Sequence, residues 1–353
     1  MRRTLFFSAC LLACNEFPEE LRPKTDAPSA DGGPALDREA KLVRSDTGTH
    51  NALVATADAI AWSTTQGSTL GLRILACSLT GDCQTPVELK EDPCGTSQAT
   101  FSGYLAAAGD RVFVTNTGCE GWLYSFVPSD GDPNSSIQKG YSDNLGFFRM
   151  GGDASGLVGT SRKNGSKEIV IAASDAAFGN NNTTRPRGNF EVTNLEQSGN
   201  ASITTSPSHT FWFETVGDGS SFRVMASTRM LDPVDTPFEV VKARKGSPVA
   251  LAATDAEVFV GYVDANKNNF VRVSIASSDE HVLAQPISGI GAAMIVETNV
   301  IWSEGASLRR TSLDGNGPLL TIGHTPGPTV THIAATPHTS SIVLMTSLGI
   351  YRL

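Results

Sequence analysis

From residue 50 onward the chain repeats one module about every 47 residues, and this periodicity limits its folds more than any other feature. Each module reads as a small-residue strand, a tight polar turn, an aliphatic or aromatic strand, a Gly/Asn loop, a further alternating strand and a short last strand. The second strands align as AIAWST (59–64), RVFVTN (111–116), GLVGTS (156–161), TFWFET (210–215), EVFVGY (257–262), NVIWSE (299–304) and SIVLMT (341–346). Anchored on Trp62, Phe113, Val158, Trp212, Phe259, Trp302 and Val343, they recur at intervals of 51, 45, 54, 47, 43 and 41 residues. The turns before them are alike: TADA (56–59), AAGDR (107–111), ATDAE (253–257) and ETN (297–299). Third strands such as LRILACSL (72–79), FRVMAST (222–228) and FVRVSIA (270–276) alternate apolar with polar or small residues, the period-2 signature of a strand.

Four short strands per 40–50 residues, repeated in series, is the pattern of a β-propeller blade. The expected fold is therefore all-β: a seven-bladed β-propeller of four-stranded antiparallel blades. The third module needs a long Asn-rich insertion after IVIAAS (169–174), which leaves six or eight blades as alternatives. The seventh module ends at Leu353 without a fourth strand. AKLVRS (40–45), directly before the first inner strand, supplies it if it pairs outside GIYRL (349–353) and closes the ring. The competing reading makes LDREAKLVR (36–44) a lone amphipathic helix and leaves the last blade a strand short. Composition agrees with a turn-rich β fold: 18% of residues are charged, and 34 Gly and 18 Pro argue against a helical bundle or coiled coil.

On the strength of AIAWST followed by LRILACSLTGDCQTPVEL (72–89), and VIWSE followed by LRRTSLDGNGPLL (308–320), the chain resembles bacterial secreted and lipid-anchored β-propellers, loosely of the YWTD/NHL type. The likeness spans 40–353 and is architectural.

The N-terminus reads as an address. Arg2 and Arg3 precede a mostly apolar run, Thr4 to Leu12, too short to cross a membrane but suited to a secretory signal. Leu11-Leu12-Ala13-Cys14 resembles the bacterial lipobox, which implies cleavage before Cys14 and lipid on that cysteine. The alternative is an ordinary signal peptide with a chance cysteine. Residues 1–13 are thus the signal peptide, 14–38 the lipidated cysteine and a flexible acidic, Pro-rich tether, and 39–353 the propeller. The expected location is the bacterial cell envelope, lipid-anchored and periplasmic or surface-facing, with the outer membrane preferred. Cys77, Cys83, Cys94 and Cys119 remain after export, an even number that suits two disulfides in an oxidising compartment. Zinc is the rival use, but no CxxC and no nearby histidine accompanies them.

In a propeller, loops between second and third strands, and from fourth strands into the next blade, share the face called the top. Ligands usually bind there. Tyr141, Phe147 and Phe148 in KGYSDNLGFF (139–148), together with His324 in HTPGPT (324–329), form a candidate contact surface. Phe147 and Phe148 equally suit the start of an inner strand, packed between blades. His50, His324 and His332 fall in top-side segments leading into blades 1 and 7, and three imidazoles are able to hold a divalent metal or supply a general base. Scattered, separately satisfied loop histidines are the bland alternative. GxSxG, HExxH and GxGxxG are absent from the sequence, GTSRKNGSK (159–167) reads as a hairpin, and DANKN (264–268) and DGDPN (130–134) lack the further ligands calcium requires.

No cofactor is expected beyond that metal option. A net charge of −9 without a basic cluster argues against nucleic acid. The function expected is a non-catalytic envelope lipoprotein whose top face binds a protein or glycan partner. The alternative is a propeller-type lyase or hydrolase with a top-face His/acid site, metal-dependent or not.

Overall fold

The computed structural model describes residues 37–353 apart from 47, 67–69, 80–82, 84, 90–100, 117–122, 130–131, 140–148, 154–155, 164–165, 174–189, 192–202, 229–236 and 337–340. Residues 36–353 form one compact unit. Among the described residues the strands assemble into seven sheets. Sheet I comprises Thr49–Ala55, Ala59–Gln66, Leu70–Ser78 and Val87–Glu88; sheet II comprises Phe101–Ala108, Arg111–Asn116, Leu123–Phe126 and Gln138–Lys139. Sheet III holds Arg149–Asp153, Gly156–Lys163, Ser166–Ala173 and Phe190–Glu191; sheet IV holds Ile203–Thr205, His209–Val216, Ser221–Thr228 and Phe238–Lys245. Sheet V is Ser247–Ala253, Glu257–Asp264, Lys267–Ser274 and Glu280–Ala284. Sheet VI begins with Ile290–Val296, Asn299–Glu304, Ser307–Ser312 and Leu320–His324, and sheet VII with His332–Ala335, Ile342–Thr346 and Gly349–Arg352.

The first strand of every sheet lies against the first strand of the next, and that of sheet VII lies against that of sheet I, so the order closes on itself. Crowding about the centre favours small side chains. Ala52, Ala106, Ala108, Ala250, Ala252, Ala253 and Ala334 are buried on these strands. At Gly291 a Cβ would overlap the Val330 carbonyl, and at Gly151 one would press on the Ile203 carbonyl at 3.3 Å. Larger groups occupy the second and third strands, where Trp62, Phe113, Trp212, Phe259, Phe270 and Trp302 are fully buried between sheets.

Two chemistries make the first hairpin in six of the sheets. In sheets I, IV, V and VII a Ser or Thr closes the turn: Thr56 N–H donates to Ala59 O at 2.9 Å, Ser206 to His209 O at 2.9 Å, Thr254 to Glu257 O at 2.8 Å and Thr336 to Ser341 O at 3.1 Å. In sheets II and VI a left-handed residue turns the chain instead, Gly109 at φ 63° and Glu297 at φ 53°.

Ring closure follows the sequence expectation. Lys41–Ser45 pairs antiparallel with Gly349–Arg352 as the fourth strand of sheet VII, with Leu42 opposite Tyr351 and Ser45 opposite Gly349. The helical alternative for 36–44 is thereby overturned, because pairing here completes a sheet whereas a helix leaves an open edge. A further pairing was not expected: Arg38–Glu39 adds to sheet VI as a fifth, parallel strand beside Gly323 and His324. Two residues carry no periodicity to read.

Candidate functional site

Antiparallel order makes the second-to-third connections and the connections into the next sheet leave from one end, the top. A buried polar group at that end sits on the seam between sheets VII and I. Asp46, in the connection from the closing strand into sheet I, is buried. Its Oδ2 accepts from Trp62 Nε1 at 3.2 Å, and its Oδ1 accepts from Gly48 N–H at 3.1 Å. Burial works to raise the Asp46 pKa, but the Gly48 and Trp62 hydrogen bonds and the nearby His50 outweigh it and hold the carboxyl below its ordinary value.

His50 Nε2 lies 3.5 Å from Asp46 Oδ2, close enough for an ion pair when protonated and long for a hydrogen bond. Both its ring nitrogens, and the hydroxyl of its cross-strand neighbour Thr64, are buried without a hydrogen-bond partner. His332 opens the first strand of sheet VII and donates from Nε2 to Asn51 O at 3.1 Å. Its Nδ1 lies 3.0 Å from Thr331 Oγ1, which in turn lies 3.1 Å from Met345 O. The single Thr331 proton thus serves either the imidazole or that carbonyl. Burial, seconded by the charge of His50 and opposed by the Asn51 carbonyl, pushes the His332 pKa down to about 4.

The three histidines are not gathered. His50 and His332 approach each other across the seam, whereas His324 stands exposed on the outer strand of sheet VI with Nδ1 2.9 Å from Asp37 Oδ1. That hydrogen bond, with the charges of Asp37 and Glu39, raises the His324 pKa. Among the described residues no three His, Cys, Asp or Glu side chains are grouped to hold a metal ion. The three histidines therefore do not form one group: His324 lies on the fourth strand of sheet VI, three strands out from the inner one, and the connection 325–331 carries the chain back to the inner strand of sheet VII. At neutral pH His332 is an uncharged imidazole tied to backbone, suited to fastening the seam.

Two further polar groups lie away from this end. Ser206 Oγ and Ser208 Oγ donate to Asp255 at 2.5 and 3.0 Å, with His209 Nδ1 3.4 Å from the same carboxylate. The hydroxyls serve the acid directly, so this set ties the first hairpins of sheets IV and V together and presents no activated nucleophile. A cavity of about 760 Å³ lies beside the outer strand of sheet I, lined by Arg73, Val87, Glu88, Asp132, Asn134 and Ile137, with Arg73 and Glu88 joined at 2.7 and 2.9 Å.

Other expected positions fall variously. Cys77 and Cys83 form a disulfide with Cα atoms 5.3 Å apart. Cys14, Cys94, Cys119, Tyr141, Phe147 and Phe148 lie outside the described residues. Exposed aliphatics at the top were missed by sequence reading. Ile287, in the connection from sheet V to VI, is fully exposed, and Leu348, in the second-to-third turn of sheet VII, is half-exposed. Asn268 Nδ2 donates to Pro286 O at 3.1 Å and Ile287 O at 3.4 Å, bracing the Ile287 loop. Leu348 N–H is held by Thr346 Oγ1 at 3.1 Å. Each is a lone aliphatic in a polar loop, and nothing local in sequence marks it as outward.

No protein-family model matches the chain, and no curated protein does. Solved structures do match. They include a chain of the mitotic checkpoint complex (13% identity, TM-score 0.58, 100% of this chain and 99% of that one). The β-propeller domain of the trilobed protease from Pyrococcus furiosus matches at 10% identity and TM-score 0.57, over 87% of this chain and 95% of that one. YCF48 bound to a D1 peptide matches at 14% identity and TM-score 0.57, over 90% and 96% respectively. Such identities carry the fold alone. The chain is an all-β protein of the β-propeller class.

Proposed function

We propose that this chain is an envelope lipoprotein, anchored through lipid on Cys14, whose propeller binds a protein or glycan partner at its top face. The observation that carries the binding half is the pair Ile287 and Leu348, apolar side chains displayed to solvent on braced loops at one end of the sheets. The sequence adds Tyr141, Phe147, Phe148 and His324 to the proposed face. Two of the structures that the chain resembles were captured with partners, one within the mitotic checkpoint complex and one with a D1 peptide, which supports a protein partner first. The anchoring half rests on the lipobox-like Leu11-Leu12-Ala13-Cys14 and the tether that follows.

Crosslinking and affinity capture of the tagged, lipidated protein from its own envelope tests the binding half. A partner recovered by the native chain and lost in an Ile287→Ser, Leu348→Ser variant that still folds supports it; equal recovery by both removes it. Cys14→Ser tests the anchor separately, since the protein then leaves the membrane fraction.

A further inference from the structure

Asn-Gly occurs twice in the sequence, at 164–165 and 316–317. The first pair lies outside the described residues. The second sits in the hairpin between the third and fourth strands of sheet VI, at the end opposite the top. A glycine after asparagine matters chemically because it has no side chain to shield its nitrogen. That nitrogen attacks the asparagine Cγ: an N–Cγ bond forms, the glycine amide proton is lost, and the Cγ–Nδ2 bond breaks to release ammonia. Water then opens the resulting succinimide, adding hydroxide to one carbonyl carbon and a proton to the ring nitrogen, and leaves aspartate or isoaspartate.

Asn316 is exposed, so water reaches it. Its surroundings nevertheless oppose the attack at both ends. Gly317 N–H donates to Ser312 Oγ at 2.8 Å, and the Ser312 hydroxyl in turn donates to Asp314 Oδ1. Removing the Gly317 proton would set an anion on a relay that already ends on a carboxylate. The Gly317 carbonyl is fixed as well, accepting from Thr311 Oγ1 at 3.0 Å. The Asn316 amide is drawn back toward Asp314: its Nδ2 donates to Asp314 Oδ2 at 3.3 Å, and the Asn316 backbone N–H donates to Asp314 Oδ1 at 3.0 Å. The Ser312 hydroxyl and the Asn316 amide hold the Asp314 carboxyl below its ordinary value, so the relay stays charged at neutral pH. The Ser312 oxygen also fills the space beside Gly317, 2.6 Å from where a Cβ would stand.

We infer that Asn316–Gly317 is a deamidation site that the folded hairpin holds shut, with the Ser312 hydroxyl as its lock. The hairpin must open locally before the reaction starts. Conversion then runs one way, because a carboxylate replaces the Nδ2 donor beside Asp314 and two like charges meet where a hydrogen bond stood. The site is independent of whatever the top face binds.

Incubation of the full chain in mildly alkaline buffer, followed by peptide mapping with mass spectrometry, reads Asn316 apart from Asn164. The native chain is expected to convert Asn316 at least about tenfold more slowly than the same chain in urea; equal rates overturn the inference. Ser312→Ala is expected to convert at least about tenfold faster than the native chain, the scale of one hydrogen bond to a charged network. An unchanged rate in that variant, at a native melting temperature, overturns the lock. Ser312→Thr keeps a hydroxyl and is expected to stay slow, and conversion as fast as in Ser312→Ala overturns it equally. Should Ser312→Ala fail to fold, the threonine variant and the comparison with urea still decide.

Discussion

The imidazole of His332 donates from Nε2 to the carbonyl of Asn51, 3.1 Å away and 281 residues earlier in the chain. With Arg352 Nη1 reaching Leu79 O at 3.4 Å, it fastens the last sheet to the first. The ring is thus held at its seam by side chains as well as by the closing strand.

That imidazole makes stability depend on pH. Above the ordinary histidine value both folded and unfolded chains hold His332 neutral, so it contributes no slope. Below about 6.5 the unfolded chain takes up a proton that the folded chain refuses until about 4. Stability therefore falls over that window, by about 3 kcal/mol at 1.36 kcal/mol per pK unit. Urea unfolding at several pH values checks this: His332→Asn is expected to flatten the slope, and parallel slopes in both proteins would exclude His332 as the titrating group.

Trp62 and Trp302 occupy corresponding places in sheets I and VI, yet only Trp62 has an acceptor for its indole N–H, since Trp302 Nε1 is buried without a partner. Trp62→Phe leaves the Asp46 carboxylate buried and short of a donor, at a cost of about 1–3 kcal/mol beyond lost packing. Trp302→Phe removes an orphan donor and is expected to cost less. Denaturant titration of the two variants decides, and equal losses would deny the Asp46 bond any special weight.

Gly291 packs beneath the connection between sheets VI and VII. Ser303 Oγ accepts from the Gly291 and Ala292 amides at 3.0 Å each and donates to Val330 O at 3.1 Å. A methyl group at Gly291 would force these apart, so Gly291→Ala is expected to cost about 1–3 kcal/mol as overpacking. A thermal melt reads it, and an unchanged midpoint would mean that the inner strands separate freely.

The Cys77–Cys83 disulfide closes a loop of six residues' separation. A loop that short limits its chain-entropy contribution to about 2 kcal/mol. The double variant Cys77→Ser, Cys83→Ser is expected to fold with its unfolding free energy, read from a urea titration, lowered by about that amount. A non-reduced peptide map that finds both thiols free in the native protein would remove the bond from the account.

Much of the fold was legible. AIAWST, TFWFET and NVIWSE each lie on a second strand, because alternation and β-branched residues are local properties. AKLVRS was readable as the closing strand only through topology, since the repeat lacked its last member. Arg38–Glu39 escaped notice, being too short for any period and parallel besides. The candidate site was less legible. His332 and His50 were drawn together by the repeat frame, but His324 in the same frame stands apart on an outer strand. Asp46 went unremarked, because its role depends on Trp62 sixteen positions later lying above it.

The strand class, the repeat and the closing strand that completes the last sheet were all readable from the order of amino acids. Each of these follows from side-chain periodicity and from counting strands, which act over a few residues at a time. Which polar groups meet was not readable there: Asn51 faces His332, Asp46 lies beneath Trp62 and Asp37 reaches His324. Those meetings depend on how far one sheet rotates against its neighbour when the ring closes, and that rotation is set by packing summed around the whole ring rather than by any local stretch of chain.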